Sequence, residues 1–240
     1  MADPLSPYLF NLRKAETRSL LKGLIPAVVW SYRLRRRYRK AFPDAFVSSG
    51  ALVALDAQIG PGCIVRTGCS LAQTVTLGRY STLGDNCLLR GSGRIEIGPF
   101  CSIGPEVVII SENHAFERPI TYPLGLYFGK RGVDSEFIPS EIVVGADVWI
   151  GQRAIILAGA HIGVGCVIAA GSVVPRGDYK PFTLLAGVPA HPIKKRLDES
   201  SRQALLDSKW WTAPTDELFG EWISKLQRPY VADSRRADGS

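Results

Sequence analysis

Three histidines, five cysteines and a dense run of arginines are the places where this 240-residue chain could do chemistry. His114 lies in the run SENHAFER, where a regular pattern in the sequence stops and an irregular stretch, 111–141, begins. A neutral imidazole, with an ordinary pKa of about 6.5, can take the proton of a hydroxyl as its oxygen attacks a carbonyl. His114 is therefore the candidate general base. His161 and His191 are read as structural or solvated. The cysteines are odd in number and no pair has zinc spacing, so thiols are expected, with no nucleophile among them. A three-histidine zinc site needs all three ligands close together, and these histidines are scattered, so no metal is expected.

The element that must position His114 is a repeat. An apolar residue returns every sixth position at Val47, Val53, Ile59, Val65, Leu71, Leu77, Leu83 and Leu89. After a two-residue slip come Ile97, Ile103 and Ile109, and a second block runs Ile138, Val144, Ile150, Ile156, Ile162, Ile168, Val174. Neither a helix nor a heptad seam holds a period of six for so long, whereas a parallel β-helix does. Three positions after the apolar anchor stand residues that tolerate positive φ, such as Gly62, Gly68, Asn86, Asp147, Gly165 and Gly171. Each hexad reads as a short strand and a corner, with three hexads to a triangular coil. Cys63, Cys69, Cys87, Cys101 and Cys166 all sit four after the anchor and read as small core-facing fillers.

The expected fold is thus an all-β solenoid over 47–193, interrupted by an inserted loop at 111–141. An excursion of that length is usually functional. The repeat is expected to end near Tyr179, followed by C-terminal helices over 194–228, one from about Asp198 to Asp207 and one from about Thr215 to Leu226. Residues 229–240 read as a flexible tail.

Residues 1–46 form a basic, helical N-terminal extension containing Arg33, Arg35, Arg36, Arg37, Arg39 and Lys40. Two readings stay open for segment 20–40. One is a helix laid over the end of the solenoid with a solvated basic face. The other is a peripheral membrane contact, with arginines on anionic headgroups. The net charge of +7 suits an anionic ligand, a membrane surface or nucleic acid. Nucleic acid is set aside because no groove-reading module is recognisable. No apolar run approaches the ~20 residues that span a bilayer. Reduced cysteines without a secretory signal point to the cytoplasm, at the inner face of the membrane under the second reading.

Several stretches taken in order resemble the hexapeptide acyltransferases of the xenobiotic acetyltransferase class. They are IEIGPFCSIGPEVVI, NHAF, TYPLGLYFG, VVGADVWIGQRAIILAGAHIGVGCVIAAGSVV, LLAGVPAHPIKKRL and LLDSKWW, spanning Arg94 to Leu226. The resemblance implies a left-handed parallel β-helix, a homotrimer with sites between subunits, and acetyl-CoA as donor. The extra hexads Val47–Leu89 and the basic front resemble bacterial acetyltransferases that modify cell-surface sugars. The implied activity is O-acetylation of a sugar or polysaccharide-precursor hydroxyl, the alternative being a chloramphenicol- or streptogramin-type drug. A metal-dependent β-helix hydratase and a non-catalytic scaffold are remote alternatives.

By the same resemblance, Trp149 packs beside coenzyme and acceptor, and the Gly151–Gln152 corner supplies backbone donors to the oxyanion. Ala170 meets the pantetheine arm, and Arg176, Lys194 and Lys195, with Arg196, stand near the phosphates. For each of these cations a solvated surface charge is the open alternative. Tyr122, Tyr127 and Phe128 in the loop are candidate acceptor contacts, with loop packing as the alternative.

Overall fold

The computed structural model describes residues 27–122, 137–218 and 220. It divides into a unit of residues 1–197 and a smaller unit of 198–240. The first is a parallel β-helix with three flat faces. Face one stacks Phe46–Val47, Ile64–Val65, Thr82–Leu83, Ser102–Ile103, Trp149–Ile150, Val167–Ile168 and Thr183–Gly187, in that order. Face two runs from Leu52–Val53 to Val173–Val174, and face three from Gln58–Ile59 to Gly177–Tyr179. Along each face the anchors lie in register: Val47 beside Val65, Val65 beside Leu83, Leu83 beside Ile103, Ile103 beside Ile150 and Ile150 beside Ile168.

The anchors form the core. Val65, Leu83, Leu89, Ile109, Ile150, Ile156, Ile168 and Val174 are completely buried. One expected anchor is not: Ile138 is 47% exposed, and the inward place beside Ile156 is filled by Ile109. The reason is that Phe137–Pro139 pairs antiparallel with Glu112–His114, so 137–139 belongs to a projecting ribbon and not to a coil. The loop at 111–141 therefore has an ordered base.

The five cysteines are buried thiols. They do more than fill space, because each Sγ reaches a backbone carbonyl of the next coil. Cys63 donates to Gly78 O at 3.0 Å, Cys69 to Gly84 O at 3.0 Å and Cys101 to Gly145 O at 3.1 Å. Ser81, at the same repeat position, donates to Gly98 O at 2.8 Å. Burial pushes the Cys63 thiol up to about 11 and the Cys101 thiol up to about 12. These two thiols are thus held protonated and unreactive.

The corners are equally specific. Asn86 and Asp147 take φ of 60° and 56°, as their residue types suggest, but so do Tyr80, Phe100, Glu106, Arg153 and Phe182. Gly62 fits beneath one of these: a Cβ there would lie 2.3 Å from the Tyr80 ring. Tyr80 in turn stacks on Phe100, with ring centroids 5.2 Å apart.

Helix α1 (Ala27–Ala41) lies against the first coil. Tyr38 is buried, donates its hydroxyl to Ala51 O at 2.9 Å and accepts from Val53 N at 3.1 Å. Leu34 and Phe42 complete the contact. At the other end the repeat runs further than Tyr179: Thr183–Gly187 is still a parallel strand of face one. Ala190–Lys195 then folds back antiparallel on it, so residues 194 and 195 are strand and not helix.

In the second unit, helix α2 (Glu199–Ser208) is capped by Asp198, whose carboxylate accepts from Ser201 N at 2.8 Å. Hydrogen bonds from Ser200 and Ser201 hold that carboxyl down to about 2. Trp210 and Trp211 meet edge-on. Of the second expected helix, Thr215–Glu217 is helical. Its remaining length, the tail and residues 1–26 lie outside the described residues, apart from Leu218 and Gly220. Among the described residues no helix is long and apolar enough to cross a membrane.

Candidate active site

Three edges run down the prism, and they sort the candidate residues. The first edge joins faces one and two, the second joins faces two and three, and the third returns to face one. His114 belongs to the second edge. It ends the strand Glu112–His114, which leaves the solenoid there and pairs with Phe137–Pro139. Its ring packs on Phe137 with centroids 4.7 Å apart. His114 is exposed, and its ring nitrogens make no hydrogen bond among the described residues.

What aims this ribbon was hidden in the sequence. The two-residue slip between Leu89 and Ile97 falls on the same edge, one coil earlier, and forms a platform. Glu112 accepts there from Ser92 N at 2.9 Å and from the Ser92 hydroxyl at 2.8 Å. Ser111 is buried and donates to Gly93 O at 2.7 Å. Gly93 must be glycine, since a Cβ would come within 2.5 Å of Ser111 O and 2.7 Å of Ser140 O. Arg94 ties the other side through Glu141 at 3.2 Å and Glu96 at 2.8 Å. Ser92, Glu112 and Phe137 thus support the candidate site, a role that spacing did not reveal. The irregular slip was the available signal.

Arg176 lies on the second edge too, below His114. Gly159 leaves room for it, since a Cβ there would meet its Nε at 2.8 Å. Its guanidinium donates to Ser140 Oγ at 2.6 Å. A shallow depression of about 370 Å³ opens between Ser140, Glu141, His161, Arg176 and Asp178. His161 lies in the strand Ala160–Ile162, not at a corner, with Nδ1 2.9 Å from Asp178.

The first edge holds a different set. Gly151 and Gln152 turn the corner after Trp149–Ile150, and Ala170 turns it one coil on. The N–H of Gly151 is committed to Ile168 O at 2.8 Å, so it is not an oxyanion donor. Those of Gln152 and Ala170, both exposed residues, make no hydrogen bond among the described residues. Stacked on successive coils, they form a pair of unspent donors. The Gln152 side chain is turned to Glu106, donating at 3.3 Å. Glu106 is held mainly by Arg153, at 2.8 Å, and that hydrogen bond lowers its pKa. Trp149, on face one beside this edge, is 57% exposed.

The remaining candidates separate. Lys195 lies toward the third edge, where Nζ donates to Thr183 Oγ1 at 2.7 Å and Pro181 O at 3.0 Å. Arg196 donates to Gly165 O at 2.6 Å. Lys194 is their exposed neighbour. Tyr122 is exposed in the loop beyond the ribbon, while Tyr127 and Phe128 lie outside the described residues.

Comparison with known proteins fits this architecture. The bacterial transferase hexapeptide (six repeats) family model matches residues 141–176. A chloramphenicol acetyltransferase of Agrobacterium fabrum is 36% identical over 137 residues, 53% of this chain and 64% of the relative. A probable macrolide acetyltransferase of Lysinibacillus sphaericus is 33% identical over 147 residues, 58% of this chain and 77% of the relative. A putative lipopolysaccharide biosynthesis O-acetyl transferase of Escherichia coli is 38% identical over 104 residues, 42% and 50% of the two chains. The first of these relatives is thus matched over slightly less than two thirds of its length. The fold is shared with the crystal structure of AntD, an N-acyltransferase from Bacillus cereus in complex with dTDP and 3-hydroxybutyryl-CoA. That match has a TM-score of 0.55 at 22% identity and covers 69% of this chain and 88% of AntD. With a three-faced prism whose coils are each built of three hexads, and a relative matched along three quarters of its length, the chain belongs to the hexapeptide-repeat acyltransferases, whose fold is the left-handed parallel β-helix.

Proposed function

We propose that this chain transfers an acetyl group from acetyl-CoA to a hydroxyl of a sugar or cell-surface polysaccharide precursor, with His114 as general base. The observation that carries this reading is the pairing of an exposed histidine whose ring makes no hydrogen bond, and two backbone donors on exposed residues left unspent, among the described residues. An imidazole nitrogen of His114 takes the acceptor's proton as the hydroxyl oxygen bonds to the thioester carbon. The tetrahedral oxyanion accepts from Gln152 N–H. Collapse breaks the C–S bond, and the departing thiolate takes the proton back from the imidazolium. Ala170 N–H binds a pantetheine carbonyl, Trp149 packs along the arm, and Arg176 meets phosphate oxygens.

Base and donors lie on different edges of one chain, with face two between them, so one copy does not assemble this site. A second copy does, if its first edge lies along the second edge of its neighbour. Such a contact is head-to-tail, and it closes into a ring when the rotation allows. A triangular prism meets that condition with three copies, hence a homotrimer with three sites between subunits. Lys194 and Lys195, toward the third edge, fall outside this arrangement.

The sugar acceptor is supported by the likeness to the lipopolysaccharide O-acetyl transferase. The relatives named chloramphenicol and macrolide acetyltransferases support a second reading, in which the acceptor is a drug hydroxyl. Thiol release from acetyl-CoA against sugars, glycan fragments, chloramphenicol and a macrolide separates the two. Release only with sugars is the expected result, and release only with a drug would replace the acceptor.

A further inference from the structure

Acyl transfer leaves helix α1 unexplained. Leu34 and Tyr38 hold it to the first coil. On the opposite side, at helical spacing, Val29, Tyr32, Arg33, Arg36 and Lys40 form one stripe. Tyr32 is 67% exposed and Val29 41%. The helix contains no carboxylate. None of its six cations forms an ion pair among the described residues.

Beside the helix is a second feature. A groove of about 230 Å³ opens between α1 and the first strand, walled by Arg35 and Arg39, one turn apart, and by Ser48 and Ser49. Phe46, on its rim, is 62% exposed. Two guanidinium groups over hydroxyls suit the oxygens of a phosphate. A basic patch by itself would also attract RNA. Tyr32, Val29 and Phe46 decide between partners. A single strand could stack bases on Tyr32 or Phe46 but offers the aliphatic Val29 nothing to enter, whereas the headgroup layer of a bilayer receives aliphatic, aromatic and arginine side chains together.

We propose that α1 docks this protein on an anionic phospholipid bilayer, with a lipid phosphate seated in the groove between Arg35, Arg39 and Ser49. The stripe lies along the surface, its cations drawn to the negative leaflet and Tyr32 at headgroup depth. This is independent of the transfer reading, because none of these residues touches the proposed site.

The test is co-sedimentation of the full chain with phosphatidylcholine vesicles, with and without phosphatidylglycerol. Binding to the anionic vesicles alone, lost at about 0.5 M salt, is expected. The double variants Arg33→Gln/Arg36→Gln and Arg35→Gln/Arg39→Gln should each weaken partition about 30-fold. Their unfolding temperature should change little, since these side chains are exposed and form no ion pair among the described residues. Inorganic phosphate at matched ionic strength should not release the protein. Equal binding to neutral vesicles would overturn the proposal, as would indifference to the double variants or release by phosphate. Retention by single-stranded RNA without vesicle binding would overturn it in favour of nucleic acid. None of these readouts measures acyl transfer, so failure here leaves the acyltransferase reading untouched.

Discussion

Gly104→Ala adds one methyl group on the coil above the proposed oxyanion donor. A Cβ at Gly104 would lie 2.7 Å from Gln152 N, 3.1 Å from Gln152 Cα and 3.1 Å from the Gly151 carbonyl carbon, all of it backbone. Ordinary contact begins at 3.4 Å, so the corner must retreat by roughly 0.7 Å. Overpacking of this kind costs about 1–3 kcal/mol of stability, or about 2–12 °C in Tm for a chain of this size. Displacing a catalytic donor by nearly an ångström costs up to ~10²-fold in rate. A fall in kcat of about 10- to 100-fold is therefore expected, with KM for acetyl-CoA little changed.

Gly98→Ala is the control. It occupies the same repeat position on the third edge, where its Cβ would meet the Gly145 carbonyl carbon at 2.6 Å and oxygen at 2.7 Å. The crowding is equal, but no proposed site residue is behind it. Thiol-release kinetics and thermal unfolding of both variants should show similar losses of Tm and a loss of kcat in Gly104→Ala alone. If the two lose activity together, or Gly104→Ala keeps its kcat while losing Tm, the first edge is not where the oxyanion sits.

Four further outcomes follow from the same geometry. His114→Ala should lower kcat by about 10²–10⁴-fold, with coenzyme affinity measured by calorimetry unchanged. Glu112→Ala should free the ribbon from Ser92, lowering kcat about tenfold while Glu112→Gln, which still accepts from Ser92, retains most of it; equal losses would deny Glu112 a positioning role. Arg176→Ala should raise KM for acetyl-CoA with kcat preserved, and an unchanged KM would remove it from the site. Asp147 is raised by desolvation, partly offset by Arg196. Its protonated form is the one the fold favours, so the stability it contributes is present below pH about 4 and lost as pH rises through its raised folded pKa. Asp147→Asn, which also tolerates the positive φ at this corner, should therefore raise Tm at pH 7 and lose that advantage near pH 4; a lower Tm at pH 7 would show that the Arg196 contact outweighs desolvation.

The coils were legible because an inward side chain every six residues has no other regular solution, and the buried column from Val65 to Ile168 follows it directly. The count failed at Ile138, since periodicity does not distinguish a strand inside a coil from one paired beyond it. Corners were readable where Gly, Asn or Asp stands, and invisible at Tyr80 or Phe182, where stacking of the coils holds an ordinary residue at positive φ. Spacing shows the cysteines only as small core-facing fillers, because a thiol's donor role appears only when the next coil's carbonyl is in place. His114 was findable from its junction. Its support by Glu112 and Ser92 was not, because residues 20 apart become neighbours only after a coil has closed around an irregular slip. Sequence spacing also could not say that Gly151 N–H is already spent, or that His114 and Gln152 face different edges.

That separation gives the most direct measurement. His114→Ala damages the second edge only, and Gly104→Ala the first edge only. Oligomers assembled from an equal mixture contain some interfaces in which both contributing edges are intact, about one quarter of them if copies combine at random. The expected result is thiol release from acetyl-CoA at about a quarter of the wild-type rate, well above either variant alone. A mixture no more active than the average of its two components would contradict a site shared between copies.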